Sequence, residues 1–251
     1  MNKALNNKCF AKIMCYELRR TLLNRLFFGL LLINGLTAWF ILSYDTIMGT
    51  AYTAPFSVWS YCAYLGRTLP VATVTILLLL SNYYSRKQKQ VEILTAATPV
   101  TPFCQIMVRT LTAGIGFVLI YLVMCSLARI FYVRFFRFRD FAVFILPSLL
   151  LLLPCFTFFA GVGQLLGSLH RGLIYALMLL VLLFRGIPNV FDCFGAGYFS
   201  TFPLTLPVGA DDEPAFQIEI SFIIVRVLYL LAGIVSLYLA TALSARKSRK
   251  A

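Results

Sequence analysis

Long apolar runs alternate with short polar interruptions along the whole chain, and the runs set its architecture. They cover residues 26–44, 64–83, 110–132, 141–169, 173–191 and 220–243. Their lengths are close to the about 20 residues that a helix needs to cross roughly 30 Å of hydrocarbon. The pattern therefore predicts a single all-α integral membrane domain over residues 1–251 with six transmembrane helices. The fourth run is long enough to tilt or bend, and Pro147 and Pro154 supply the bends. Its Gly163-x-x-x-Gly167 offers a face for close helix packing, as Ala113, Gly114 and Gly116 do in the third run.

The interruptions are as informative as the runs. The longest, Ser85 to Arg109, reads SRKQKQVEILTAATPVTPFCQIMVR. A basic start is followed by a helix-compatible body around Glu92 to Ala97. Pro99 lacks an N–H and pushes Thr98 out of the α region, while Thr101 can cap a new helix with Pro102 in its first turn. A short helix lying at the membrane face between spans two and three is the expectation. The leader, residues 1–25, carries Lys3, Lys8, Lys12, Arg19, Arg20 and Arg25 against one acid, Glu17. On a helical wheel Phe10, Ile13, Met14 and Leu18 share one side, the pattern of a helix lying in the interface against anionic headgroups; the alternative is a solvated basic tail. Glu17 falls inside that side, to pair with Arg20 three residues on or to face a protein surface. Residues 192–219 are rich in Gly and Pro yet apolar at Phe194, Tyr198, Phe199, Phe202, Leu204 and Leu206, so part of this segment should dip back into the membrane as short helices.

Composition fits this solvent. The chain is 61% hydrophobic and 12% charged, with a mean hydropathy of +0.87. The net charge of +13 does not point to nucleic acid, because the cations flank apolar spans instead of forming one patch interleaved with aromatics. With both termini placed in the cytoplasm, fifteen of the 22 Lys and Arg fall on that side and four on the other, which is the expected bias for a plasma-membrane protein. The loop of residues 45–60 has no Lys or Arg and is expected outside, where Tyr52, Phe56, Trp59 and Tyr61 suit a headgroup belt. Against the bias run Arg129, Arg134, Arg137 and Arg139. They read as a collar for an anionic lipid or cargo group, helped by Arg67, Arg185 and Arg226, all placed near outer span ends; as side chains that snorkel or pair with Asp140, Asp211, Asp212 and Glu213; or as a sign that this stretch lies on the other side of the membrane.

Several chemistries are excluded. The seven cysteines are dispersed with no C-x-x-C, and His170 is the only histidine, so neither a zinc site nor any other cofactor is implied. There is no Gly-Lys pair and hence no phosphate-binding loop, and no H-E-x-x-H. Ser168 lies near His170 without a nucleophile elbow. The chain reads as a non-enzyme.

The Glu17-Leu18-Arg19-Arg20 step in a basic leader, the six spans, the segment VEILTAATPVTP running on to Arg109, and the Pro/Gly-rich stretch before the last span together resemble the permease subunits of type-2 ABC exporters. Gln88-Lys89-Gln90-Val91 stands where that family commonly has an acidic-basic run with a glycine. The resemblance implies half of a transporter for a small amphipathic peptide, lipid or drug, paired with a second permease copy or paralogue. It further implies separate ATPase subunits docked on Arg86, Lys87, Glu92, Pro99 and Thr101, with Glu17 packing beside them, and spans two and five rocking between states. The alternative is a membrane accessory or immunity protein that binds a partner without transporting anything.

Overall fold

The computed structural model describes residues 2–85, 102–184, 192–207 and 214–248. These residues form helices and connecting turns, in the order α1 Asn2–Leu22, α2 Arg25–Tyr44, α3 Val58–Tyr83, α4 Pro102–Phe136, α5 Ile145–Leu169, α6 Arg171–Phe184, α7 Ala196–Thr201 and α8 Ile220–Ser248, with short 3-10 turns at Thr46–Met48, Ala142–Phe144 and Phe202–Thr205. Among the described residues five helices are long and apolar enough to cross a bilayer, as a multi-pass membrane protein requires. The fifth predicted run is seen as α6 up to residue 184, and its remainder, 185–191, lies outside the described residues.

The helix starts have local causes. Asn24 is extended and its side chain accepts the Leu26 N–H, capping α2. Ser57 does the same for α3 through the Ser60 N–H at 3.1 Å. That cap starts α3 six residues ahead of the expected Tyr64. As a result Trp59 and Tyr61, expected in a headgroup belt, are instead 2% and 0% exposed. α4 has 35 residues, about 52 Å at 1.5 Å per residue, so it outruns the hydrocarbon and must project beyond it.

α3 is the axis of the molecule. Of its most apolar stretch 78% is buried, against 17% for α8, whose outer surface is continuous Leu, Ile and Val. Around it the helices run alternately up and down. Asn34 Nδ2 of α2 donates to Thr75 Oγ1 of α3 at 2.8 Å, and Tyr64 of α3 donates to the Met124 carbonyl of α4 at 3.0 Å. Large side chains on the outer faces of α2, α4, α5, α6 and α8 remain exposed, which is stable where the surroundings are lipid.

Two glycine contacts set the closest approaches. A Cβ on Gly163 would meet Leu77, and one on Gly167 the Tyr84 ring, so the Gly163-x-x-x-Gly167 face is indeed a packing face, directed at α3. Gly161, on another side of α5, lies against the backbone of Gly233 in α8, and a Cβ on Gly233 would collide with the Thr157 carbonyl. α5 and α8 thus touch backbone to backbone, as small residues permit in membranes. α1 turns Ile13, Met14, Glu17 and Leu18 inward, toward α4, and leaves Lys12, Arg19 and Arg20 exposed. On the apolar side of the leader Ile13, Met14 and Leu18 are therefore half-buried against protein, and the side chain of Phe10 lies outside the described residues.

Candidate functional site

The bundle has two polar ends, and each gathers a different set of side chains. At the end where α3 stops and α4 starts, four helices are laced together. Thr21 Oγ1 of α1 and the Tyr83 hydroxyl of α3 are hydrogen-bonded at 2.9 Å, and Thr112 Oγ1 of α4 donates to Met14 Sδ of α1 at 3.7 Å. The Arg109 guanidinium of α4 lies over both the Tyr83 and Tyr84 rings, 5.4 and 5.7 Å from their centroids. The Tyr84 hydroxyl donates to the Gln164 carbonyl of α5 at 3.1 Å, while Gln164 Nε2 donates to Thr110 Oγ1 of α4 at 2.5 Å. Gln164 is fully buried, so each bond it makes replaces a solvation it has lost.

Glu17 sits on the inward side of α1 in this cluster. Its Oε1 is 3.7 Å from Arg20 Nη1, the i,i+3 pairing expected from spacing, and its Oε2 is buried with no hydrogen-bond partner among the described residues. Arg86, Lys87, Glu92, Pro99 and Thr101 lie outside the described residues. They fall in the connection between α3 and α4, and the cluster holds Tyr83 and Tyr84 on one side of it and Arg109, Thr110 and Thr112 of α4 on the other. Sequence reasoning singled out the segment and Arg109 but passed over Thr21, Tyr83, Tyr84 and Thr110. The signal for two of them was available in the paired tyrosines directly before the basic run.

At the opposite end the arginines part company. Arg67 pairs with Asp45, Nη1 to Oδ2 at 3.3 Å, joining the start of α3 to the end of α2. Arg129 lies over the Phe141 ring at 5.6 Å, and Arg134 is exposed near the end of α4. Arg185 lies outside the described residues. Arg226 does something different. It is 1% exposed, its terminal nitrogens donate to the Cys193 carbonyl and, at 2.9 Å, to the Asp192 carbonyl, and its guanidinium packs 4.4 Å over the Phe222 ring.

Arg226 thereby fastens residues 192–207 to α8. The rest of that segment is held by aromatic contacts. Phe194 stacks on Phe159 of α5 at 5.4 Å, and Tyr198 stacks on Phe222 at 4.2 Å. The Asp192 carboxylate accepts the Tyr198 N–H at 2.8 Å, and Trp59 Nε1 of α3 donates to the Pro214 carbonyl at 3.2 Å. Gly66 lets α3 approach the backbone at Phe194 and Ala196. Burial pushes the Cys193 thiol above its ordinary pKa, since the surroundings disfavour the thiolate.

Among the described residues no three His, Cys, Asp or Glu side chains gather in a way that could hold a metal ion. Comparison of the chain with protein-family models, with curated proteins and with solved structures yields no match.

Proposed function

We propose that the chain is the membrane-spanning permease half of an ATP-driven exporter for a small amphipathic cargo, with both termini cytoplasmic and fuel supplied by a separate ATPase subunit. The observation that carries this reading is the lacing around the connection between α3 and α4. A force delivered to residues 86–101 would reach α3 and α4 directly, α1 through Thr21 and Met14, and α5 through Gln164. Four helices would then move as a body, which is what a passive conduit driven by a partner needs. The backbone contact of Gly161 with Gly233 extends the same body to α8. In this reading Arg86, Lys87, Glu92, Pro99 and Thr101 meet the ATPase, with Glu17 beside them, and a second permease copy or paralogue completes the path.

The test is recovery of partners from native membranes with tagged wild type and Glu92→Lys. A co-purifying ATP-binding-cassette ATPase, lost or strongly reduced with Glu92→Lys while membrane insertion is unchanged, is the expected result. Equal recovery with both proteins would count against docking at Glu92. Recovery of a membrane partner and no ATPase would favour the accessory or immunity role.

A further inference from the structure

The loop joining α2 to α3 is built inside out. Thr46, Thr50 and Thr53 are buried, whereas Met48 is 86% and Tyr52 93% exposed, with Ile47 and Phe56 also exposed. Thr46 Oγ1 donates back to the Ile41 carbonyl of α2 at 3.3 Å, and the Thr53 hydroxyl and the Thr50 backbone are bonded within the loop and to the first turn of α3. Thr53 Oγ1 donates to the Thr50 carbonyl at 2.6 Å, the Thr50 N–H donates to Ser60 Oγ at 3.0 Å, and Ser57 Oγ donates to Thr53 Oγ1 at 2.9 Å. The backbone is bent to suit. Ala51 and Tyr52 take φ of 53° and 61°, a left-handed conformation that costs a residue with a side chain roughly 1–2 kcal/mol each. Gly49, at φ 74°, has no room for a Cβ because the Thr53 carbonyl lies against it.

Strain of this kind persists only where surrounding bonds over-determine it, and here they hold two large side chains outward. A water-facing loop would gain by the reverse arrangement, threonines out and Met and Tyr in. Residues 45–60 also contain no Lys or Arg. The exposed side chains are not isolated either. Leu36, Phe40 and Tyr44 form an exposed stripe of α2 at i, i+4 and i+8, which runs into Ile47 and Met48 without a polar break on that line.

We infer that the loop between Tyr44 and Val58 is a shallow membrane anchor, in which Met48 and Tyr52 insert at the boundary between headgroups and acyl chains as a continuation of the lipid-facing stripe of α2. A tyrosine ring, apolar in body and polar at its tip, suits that depth. The Asp45–Arg67 pair at the loop's base, 3.3 Å apart, belongs among the headgroups. The anchor rests on the membrane reading of the apolar helices and not on the exporter reading.

The experiment places an environment-sensitive fluorophore on Met48→Cys in a background with Cys9, Cys15, Cys104, Cys125 and Cys193 replaced by serine, with the full chain reconstituted in phosphatidylcholine vesicles. Nitroxide lipids labelled near the headgroup should quench the probe several-fold more strongly than aqueous iodide does. Tyr52→Trp, read as the difference from the unmodified chain with brominated lipids, gives the same comparison without a bulky label. Strong iodide quenching with little lipid quenching at both positions would overturn the proposal. So would protection from both quenchers, which would mean that another protein surface covers the loop.

Discussion

If Arg226 is the fastener of residues 192–207, replacing it with leucine should loosen that segment while leaving the helix bundle intact. The guanidinium makes two charge-assisted bonds, to the carbonyls of Cys193 and Asp192, and lies on the Phe222 ring. Bonds of that type contribute about 1.5–3 kcal/mol each, and the ring contact adds about 0.5–2 kcal/mol. Against this stands the cost of keeping a cation out of water, several kcal/mol on the order of the bonds themselves. Global stability in Arg226→Leu should fall by less than the local loss, because relieved desolvation offsets part of the lost bonding and the segment can lift while the bundle stays packed. Local opening is different, since the freed carbonyls find water once the segment lifts. A loss of about 3 kcal/mol in the closed state corresponds to roughly 100-fold more frequent opening.

Cys193 reports on this directly. Its thiol is pushed up by burial, so the closed segment suppresses the reactive thiolate at neutral pH and opening restores it. Maleimide modification at Cys193, read by peptide mass spectrometry on protein in lipid nanodiscs, should accelerate by one to two orders of magnitude in Arg226→Leu. The melting temperature should stay within a few degrees, and modification of the buried Cys62 and Cys155 should remain slow. An unchanged rate at Cys193 in a folded variant would refute the fastening role.

Two further outcomes follow from contacts elsewhere in the bundle. Gly233→Ala drives a Cβ into the Thr157 carbonyl and should destabilise by about 1–3 kcal/mol; Gly29→Ala, with nothing within 4 Å of its new Cβ, is the neutral control, and equal melting temperatures would dismiss the backbone contact. A double-mutant cycle of Thr21→Val with Tyr83→Phe should show a coupling of about 0.5–1.5 kcal/mol, whereas strict additivity would mean that α1 is not bonded to α3 there.

Length and hydropathy of the apolar runs make the helices legible in the amino-acid sequence, because hydrocarbon requires each segment to satisfy its own amides. Leu26 to Tyr44 agrees with α2 to within a residue, and Gly163-x-x-x-Gly167 is a packing face as its small residues suggest. The start of α3 is less visible, since Trp59 and Tyr61 look like interfacial aromatics until the Ser57 cap draws them into the central helix. An arginine inside an apolar run marks Arg226 as unusual, but charge does not say whether it meets lipid, cargo or backbone.

Sequence alone thus determined that the chain is helical and apolar enough for a membrane, and where charge interrupts it, because these properties depend on residues close together along the chain. It took the folded bundle to reveal that α3 is the axis, that Gly161 meets Gly233, that Gln164 binds Tyr84 and Thr110 across three helices, and that Arg226 bonds the carbonyls of residues 192 and 193. Those pairings join residues far apart in the chain, and local pattern carries no information about which partner a buried polar group will find.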